Sequence, residues 1–533
     1  MLESLFHESQ TPTEVIGAIC ERGPQRWDDL NEADRSALGV GKLRLAGVYG
    51  DRFDGTFMLR TRIAGGRLSA RQLFAVASIV QDFAVGYQDV EAPDRFAEIT
   101  TRQDLQIHWL RFENLPEIWR RFQAVGLGSN QACGNTLRNV TACPVDGVDA
   151  RAIMDVGGVV DAIERLSIAD ERLTAFLPRK FKVAITGCAS DCVIARVNCL
   201  AFTPARSQGE LGFNVHVGGG LSDYPRLASQ LDIFVVPDEV PLLTRAVLEV
   251  FAELGDYEHQ SINRFRALVH NLGAEMIADE IRRRTPLHLA TAGEALSTWK
   301  SEDHLGVHQD RSGTSFVGLC VPLGRLTAND LAEVARLATD YGDGQIRLTQ
   351  RQNLILSGIR DVAGLLAEPL LARFQPQPDP FERSVVACTS APFCRFAILP
   401  MKRYGAELID YLRSNVPREY WDRLQGLRIH LSGCKASCAQ VPLAHIGLRG
   451  TMGKTEAGYF DAFDIALGGD AGAGTLAHWT AGSVSVDRAF AGIASLLAET
   501  ASKGASLAEI GAARNPIAEE FGGLGEEADD DKA

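Results

Sequence analysis

The feature that most constrains this chain is an internal duplication. Four pairs of segments match in the same order, each pair about 250 residues apart: Gly66–Leu73 with Gly324–Leu331, Ile99–Gln106 with Leu348–Ile355, Thr186–Cys192 with Ser432–Cys438, and Phe213–Gly220 with Phe463–Asp470. Chance similarity at one site is common, whereas four ordered matches indicate two fused copies of one unit. The period is too long for a solenoid of short repeats.

Local patterning predicts that each copy is an α/β unit. Phe57–Ile63 alternates in polarity, which is typical of a strand. Ser69 then stands where a helix cap is expected, before an apolar-periodic helix that runs to Ile79. We expect Ile99–Trp109 to be the returning strand. A large ligand would suit the interface between two such copies.

Length and charge exclude several classes of protein. The 533 residues need more than one core, and the net charge of −14 argues against nucleic acid as a partner. No window is long and apolar enough for a membrane span, and Met1–Glu8 shows no basic segment before an apolar run. We expect a cytoplasmic protein, in which eleven cysteines point to metal binding or buried thiols.

Two cysteine pairs in the second copy carry the strongest chemical signal. Cys388 and Cys394 are spaced C-x5-C, and Cys434 and Cys438 are spaced C-x3-C. Four thiolates match the four irons of an iron–sulfur cube, whereas a simple zinc site more often shows C-x2-C pairs. Four unrelated buried thiols are the alternative. Both pairs lie in Gly-, Ser- or Pro-containing segments, whose backbone N–H groups can reach the sulfurs.

This spacing resembles the signature of the sirohaem-containing nitrite and sulfite reductases. The resemblance implies a [4Fe-4S] cluster on Cys388, Cys394, Cys434 and Cys438, with Cys438 also ligating the sirohaem iron. It implies an α/β (α+β) fold with pseudo-twofold duplication, built from ferredoxin-like half-domains and two sirohaem-binding domains. The expected segments are a cap (1–50), a first half-domain (51–120), a first reductase domain with a degenerate cluster site (121–285), a second half-domain (305–375), a second reductase domain (380–500) and a tail (501–533).

The same resemblance implies an anion pocket and a tetrapyrrole site. Phe57–Arg60, Asn135–Val140 and Leu177–Lys182 match the motifs that bring cations to the substrate, so Arg60, Arg138, Lys180 and Lys182 are the expected catalytic residues. If Lys180–Lys182 is a strand, both lysines face one side. Burial among arginines would lower a lysine pKa and suit proton donation. A solvated surface position is the alternative for each cation. The expected sirohaem contacts are Thr100, Arg102, Gln106, His108, Arg179 and Arg266.

Several of these positions have a second interpretation. His108 is equally well explained as a hydrogen-bonded core histidine. Glu98 stands where sulfite reductases of the haemoprotein type have Arg. The glycines of Gly218–Gly220 either let the backbone approach the sirohaem ring closely or only allow the chain to turn. Tyr49 and Cys133 occupy positions where some relatives carry a Tyr–Cys thioether, and the mass of the Cys133 peptide would reveal one.

The first copy retains part of the cluster signature. Cys143, Cys188 and Cys192 align with Cys388, Cys434 and Cys438, and Asp149 stands opposite Cys394. One interpretation is a second metal site with Asp149 or water as the fourth ligand. We favour the other, in which the thiols pack as small apolar groups, because cubes normally take four cysteines.

The resemblance implies six-electron reduction of sulfite to sulfide or of nitrite to ammonia. Lys182 favours sulfite slightly, since plant-type nitrite reductases usually have Asn there. Arg138–Pro144 and Thr100–Gln103 are closer to the nitrite enzymes. More remote alternatives are an oxygenase of cobalamin synthesis, like precorrin-3B synthase, and an electron carrier without catalysis.

The electron donor is expected to be a separate protein. No stretch reads as a nucleotide-binding fold, so a ferredoxin is the expected partner of an enzyme that we expect to be a monomer. Docking an acidic ferredoxin on an acidic chain needs a basic patch. Arg282–Arg284 and Lys402–Arg403 are candidates, although a solvated charge run explains either one alone.

Overall fold

The computed structural model describes residues 9–85, 95–259, 262–298 and 300–511. Two compact units divide the chain. The first unit comprises the described residues of Met1–Gly220, Arg226–Val321 and Arg325–Pro376, and the second those of Leu221–Pro225, Pro322–Gly324 and Gln377–Ala533. The acidic end of the chain, Glu526–Ala533, lies outside the described residues.

Strands make up most of the framework. In chain order they are β1 (Val48–Gly50), β2 (Phe57–Arg60), β3 (Arg67–Ser69), β4 (Phe96–Ile99), β5 (Leu105–Leu110), β6 (Thr141–Ala142), β7 (Val183–Ile185), β8 (Leu200–Ser207), β9 (Glu210–Val217), β10 (Ser229–Val235), β11 (Glu294–Ala295), β12 (Gly306–Gln309), β13 (Ser315–Leu319), β14 (Arg325–Thr327), β15 (Gln345–Leu348), β16 (Leu354–Ile359), β17 (Val385–Ala387), β18 (Ile429–Ser432), β19 (Ile446–Thr455), β20 (Gly458–Leu467) and β21 (His478–Ser485).

Helices connect and cover the strands. They are α1 (Pro12–Arg22), α2 (Glu32–Ala37), α3 (Leu43–Leu45), α4 (Ala70–Phe83), α5 (Leu115–Gln123), α6 (Gly157–Ala169), α7 (Glu171–Thr174), α8 (Val240–Leu254), α9 (Phe265–Leu272), α10 (Ala274–Arg284), α11 (Ala328–Tyr341), α12 (Val362–Leu366), α13 (Pro380–Ser384), α14 (Met401–Asn415) and α15 (Val486–Lys503). None of the described helices is both long and apolar enough to cross a bilayer.

Two five-stranded sheets in the first unit exchange an edge strand. One sheet runs β1-β2-β5-β4-β14 and the other runs β12-β13-β16-β15-β3. The edge strand β14 of the second copy therefore completes the sheet of the first copy, and β3 of the first copy completes the other sheet. Both exchanged strands belong to the repeated segments Gly66–Leu73 and Gly324–Leu331.

The helices after the exchanged strands repeat the symmetry. Ser69 caps α4 in a capping box with Gln72, and Thr327 caps α11 in the same way with Asp330. Apolar residues of both helices, including Val76, share one buried core with the two sheets. Hydrophobic burial thus joins the two half-domains into one body.

The larger domains carry a second pair of equivalent sheets. The first unit holds the order β10-β9-β8-β7-β6, with β11 added to β8, and the second unit holds β17-β18-β19-β20-β21. In each of these sheets the three strands that come first in the chain, β6–β8 and β17–β19, pair in parallel. The remaining strands pair antiparallel. The predicted fold class, a duplicated α/β architecture with ferredoxin-like half-domains, is confirmed by this repetition. The division into six segments stays a prediction.

Two local predictions differ from the structure. The expected returning strand is two antiparallel strands, β4 and β5, because the chain turns between Thr100 and Asp104, with Gln103 at a φ of 59°. Lys180–Lys182 forms only an isolated bridge through Phe181, before β7 begins at Val183. Phe181 is buried and both lysines are half-buried, so the expected alternation still holds.

Candidate functional site

The two predicted catalytic arginines converge in the first unit. Arg60 ends β2 and Arg138 lies just before β6, and the guanidinium groups of both donate to the carbonyl oxygen of Ala132, at 3.4 Å and 2.6 Å. Arg60 Nε also donates to Gln106 Oε1 at 3.0 Å, across the β2–β5 pair. The register of the β2–β5 pair therefore fixes one arginine, and a loop carbonyl aligns the second beside it.

The turn between β4 and β5 adds a third guanidinium. Arg102 donates to Asn198 Oδ1 at 3.0 Å and to the carbonyl of Asn139 at 2.6 Å. Burial lowers the pKa of Arg102 to about 10, and the nearby charges of Arg138 and Arg60 act in the same direction. Thr100 Oγ1 accepts from the backbone N–H groups of Arg102 and Asp104, so Thr100 shapes this turn.

The lysine pair stands in the same electrostatic environment. Burial holds the pKa of Lys182 well below its usual range, and the charges of Arg102 and Lys180 lower it further. A lysine of this kind gives up its proton more easily than one in water.

The cations of the first unit fit a group that carries many carboxylates. Among the described residues, Arg102, Arg138, Arg179 and Lys182 form no salt bridge with an Asp or Glu. Burial also lowers the pKa of Arg179, and Arg264 and Arg138 lower it further. Repulsion between cations is costly unless an anion compensates it. Charges collected in this way suit the carboxylates of a sirohaem and a small anionic substrate.

Arg266 lies beside the glycine run. A side chain at Gly220 would collide with Nη1 of Arg266 at 2.8 Å, and one at Gly219 with the carbonyl oxygens of Arg196 and Asn198. These glycines therefore permit close packing of the chain against itself. Both Arg266 and its neighbour Arg264 are buried.

Two other polar positions have structural partners. His108 Nδ1 lies 3.2 Å from Asp51 Oδ1, and both residues are buried. Glu98, which is 1% exposed, forms an ion pair with Arg325 of the exchanged strand β14 at 2.6 Å. Glu98 thus links the two copies. Tyr49 Oη accepts from the backbone N–H of Gly134 at 3.3 Å, next to Cys133, and the thioether stays a prediction.

The predicted cluster cysteines follow two parallel strands of the second unit. Cys388 comes directly after β17, and Cys434 comes two residues after β18. Because parallel strands end at the same edge of a sheet, these thiols lie together. The backbone N–H of Gly433 donates to Cys388 Sγ at 3.2 Å. Burial and the neighbouring sulfurs of Cys438, Cys394 and Cys434 raise the pKa of Cys388. Three thiols near Cys388, together with the N–H that it accepts, fit an iron–sulfur cube.

The aligned cysteines of the first unit also lie together. Sγ of Cys143 is 2.8 Å from Sγ of Cys188, and Nε2 of His304 is 2.9 Å from Sγ of Cys192. Asp149, the fourth ligand in the metal-site interpretation that we did not favour, forms a salt bridge with Arg151 at 2.7 Å. The hydrogen bond from Cys143 holds the pKa of Cys192 well below its usual range, and His304 lowers it further.

Sequence reasoning missed several residues of these sites. His304 lies in a polar stretch whose sequence is typical of a linker. The one hint of a role in the sequence is that His304 comes just before the start of the second copy. Asn139 donates to Asp104 Oδ1 at 2.7 Å and to the carbonyls of Ile63 and Arg102, which fixes the turn of Arg102. Its position directly after Arg138 is the one available hint.

Comparisons with known proteins identify the family of this chain. The family model described as "Nitrite and sulphite reductase 4Fe-4S domain" matches residues 133–289. The family model described as "Nitrite/Sulfite reductase ferredoxin-like half domain" matches residues 51–125 and 308–371. The chain is 38% identical to the assimilatory ferredoxin-dependent nitrite reductase of Haloferax mediterranei, over 90% of this chain and 85% of the relative. It is 39% identical to the ferredoxin–nitrite reductase of Synechococcus elongatus, over 84% of this chain and 86% of the relative.

A solved structure has the same architecture. The NirA protein of Mycobacterium tuberculosis superposes with a TM-score of 0.85 at 28% identity, over 94% of each chain. The class defined by fold and site is a reductase with an iron–sulfur cluster and a cation-rich pocket. This chain belongs to the nitrite and sulfite reductase family.

The family's cofactors are sirohaem and a [4Fe-4S] cluster, and the predicted cofactors are confirmed at that level. Cys388, Cys394, Cys434 and Cys438 would hold the cube, and the cations of the first unit would bind sirohaem carboxylates. When bound, the sirohaem and the cluster would supply single electrons for the reduction of a substrate. The bridging role of Cys438 and the individual sirohaem contacts stay predictions.

Proposed function

We propose that this chain catalyses the ferredoxin-dependent, six-electron reduction of nitrite to ammonia. The observation that carries the proposal is its identity of 38–39% to ferredoxin-dependent nitrite reductases from an archaeon and a cyanobacterium, over 84–90% of this chain. A plant relative from Oryza sativa, 34% identical over 78% of the chain, is also a ferredoxin–nitrite reductase. Relatives this diverse support one substrate more strongly than a single resemblance does.

The proposed pocket acts through fixed positive charge. Arg60 and Arg138 share the carbonyl of Ala132, which aims two guanidinium groups at one region and suits bidentate binding of a small anion. Lys180 and Lys182 flank the buried Phe181, and both supply further charge. The lowered pKa of Lys182 suits it to give protons to oxygens that leave as water.

Nitrite is favoured over sulfite, which is the reverse of the preference expected from Lys182. The relatives above are named as nitrite reductases, although plant-type nitrite reductases usually carry Asn at the position of Lys182. We therefore expect sulfite to be a slower, secondary substrate.

The electron donor in this proposal is a ferredoxin. The two basic runs are weaker docking candidates than expected. Arg282, Arg283 and Arg284 pair with Asp279, Glu280 and Glu253. Lys402 is buried and donates to the carbonyl of Leu323, and Arg403 pairs with Glu407. Charges already compensated within the chain attract an acidic partner weakly.

Steady-state kinetics of the purified holoenzyme tests the proposal. With reduced ferredoxin as donor, kcat/KM for ammonia formation from nitrite should exceed kcat/KM for sulfide formation from sulfite by at least tenfold. Dithionite-reduced methyl viologen serves as a control that separates donor docking from chemistry. A preference for sulfite with both donors would overturn the substrate assignment.

The visible spectrum separates this proposal from the more remote alternatives. A chlorin-type band supports the reductase, because its pocket must hold an iron tetrapyrrole. A cluster spectrum without tetrapyrrole would favour an electron carrier, and conversion of a corrinoid with oxygen would favour the oxygenase.

A further inference from the structure

The first unit contains four potential metal ligands that the reductase chemistry does not use. Cys143 follows β6, Cys188 and Cys192 follow β7, and His304 lies just before β12. Their exposures are 1%, 5%, 5% and 3%, so the site is closed to solvent. Val145, Val148, Phe316 and Ile355 pack around the three thiols.

Three of the ligand atoms are close enough for one ion. The sulfurs of Cys143 and Cys192 and a ring nitrogen of His304 all lie within 4.8 Å of one another. Cys188 lies outside that group of three, and its Sγ adjoins Cys143 Sγ at 2.8 Å, which makes it the nearest further ligand. A tetrahedral zinc ion with bonds of about 2.0 to 2.3 Å places its ligands about 3.5 Å apart. No iron–sulfur cube fits within such spacing, because its ligands bind four separate irons.

The second unit provides the contrast. Its four cysteines follow the equivalent strands, yet among the described residues only Cys143, Cys192 and His304 form a group this compact.

We propose that Cys143, Cys188, Cys192 and His304 bind one structural zinc ion. Three sulfurs and one imidazole nitrogen, all buried, are a recognised donor set for such an ion and leave no position for substrate. Soft thiolates favour zinc over magnesium or calcium. Zinc displaces the protons of the thiols that are still protonated, and no electron is transferred.

The ion would join two distant parts of the chain. His304 lies 112 residues beyond Cys192 and enters β12 of the second copy two residues later. Ser190 Oγ, 3.3 Å from Cys192 Sγ, supports one sulfur, and Thr186 Oγ1 accepts from the backbone N–H of Cys188. Zinc would therefore fasten the segment between the copies to the sheet of the first.

Metal analysis of the intact holoenzyme tests the proposal directly. Protein purified from zinc-supplemented cells without chelators should contain about one zinc per chain, in addition to the iron of its cube and sirohaem. The zinc K-edge spectrum should fit three sulfur neighbours and one nitrogen. Absence of zinc together with a Cys143–Cys188 disulfide, found by alkylation and peptide mass, would overturn the proposal. So would iron beyond that of the cube and sirohaem.

Variants test the ligand assignment. His304→Gln should reduce bound zinc at least tenfold and leave the iron content and the visible bands unchanged. His308→Gln removes a half-buried histidine four residues along the chain, and Cys20→Ser an exposed cysteine; both should keep zinc at one per chain. Full zinc in His304→Gln would contradict the assignment. If that variant does not accumulate, the zinc content and absorption spectrum of the wild-type enzyme decide.

Discussion

At the scale of single residues, the candidate site is controlled by burial. Burial lowers the pKa of Arg102 and of Lys182 and raises that of Asp104, so that in each group burial favours the neutral form. Strongly shifted groups of this kind cluster at functional sites more often than elsewhere. Two predictions follow from individual side chains here.

The first prediction concerns substrate preference. Lys182→Asn removes one positive charge, and a dianion loses more attraction than a monoanion. The ratio of kcat/KM for sulfite to that for nitrite should fall about tenfold, a difference of about 1.4 kcal/mol. Parallel steady-state assays with one reduced ferredoxin preparation measure it. Lys182→Arg keeps the charge and should leave the ratio within about twofold. An unchanged ratio in Lys182→Asn would remove Lys182 from the substrate pocket.

The second prediction concerns pH and stability. Burial raises the pKa of Asp104 to about 7, although Arg60 and Arg102 oppose the rise. The stabilising contribution of the protonated carboxyl is complete below about pH 4 and is lost as pH rises through 7. Asp104→Asn keeps an acceptor for the N–H of Ile63 and cannot ionise. At pH 8 this variant should be more stable than wild type by at most about 4 kcal/mol, and at pH 4 equally stable.

Urea unfolding at several pH values checks this expectation. Asp54→Asn, at an exposed position, serves as the control and should not alter the pH dependence. If Asp104→Asn is less stable than wild type at pH 8, the ionised carboxylate stabilises the arginines and the sign of our reasoning is wrong.

At the scale of elements, the turn after β4 in the first copy and the turn after β15 in the second copy hydrogen-bond to each other's strands. Gln103 Nε2 donates to the carbonyl of Leu348, and Gln352 Nε2 donates to the carbonyl of Ile99, each at 2.8 Å. Both glutamines have positive φ values, 59° and 62°, so each turn presents its amide in the same way. The duplicated sequence thus produces a reciprocal pair of buried hydrogen bonds.

Breaking this pair should be costly. Gln103→Ala leaves the carbonyl of Leu348 and the N–H of Ala142 unpaired, and should lower the free energy of unfolding by about 2 to 4 kcal/mol. Gln352→Ala removes its bond to Ile99 and should cost about 1 to 3 kcal/mol. Denaturant titration of the holoenzyme measures both. The exposed Gln123→Ala should change stability by less than about 0.5 kcal/mol. Losses of that small size for Gln103 and Gln352 would show that the turns do not hold the copies together.

At the scale of the whole molecule, two copies have kept one architecture and carry different predicted sites. The predicted catalytic cations lie in the first unit, and the predicted cluster cysteines lie in the second. This division means that a change at a cluster ligand should act on the whole enzyme while both folds remain intact.

Cys438 tests that dependence. Cys438→Ser should lose the cluster and sirohaem absorption bands together, and turnover should fall below about 1% of wild type. Visible spectra, iron content and ferredoxin-linked assays measure the effect, and far-UV circular dichroism confirms the fold. Cys20→Ser should match wild type in all four measurements. Retention of both bands with full turnover would refute the bridging role of Cys438.

How much of this could be predicted depends on how local each signal is. The duplication and the cap at Ser69 are local patterns, and the structure confirms both. The four cluster cysteines are also a local pattern, and their role as ligands stays a prediction. The break at Thr100–Asp104 was missed because apolar alternation continues on both sides of the turn. The strand exchange was missed because period-two alternation identifies a strand and not its partner. His304 was missed because metal-binding motifs are recognised by the spacing between ligands, and His304 is far in sequence from the three cysteines.

The exchange of β3 and β14 has a consequence for the history of the chain. An ancestor with only one copy would have needed a twin molecule to cover the open side of its sheet, and would have been an obligate dimer. Fusion made that partnership permanent. Each half then became free to lose what the other supplied, and neither half can now be severed and expected to stand by itself.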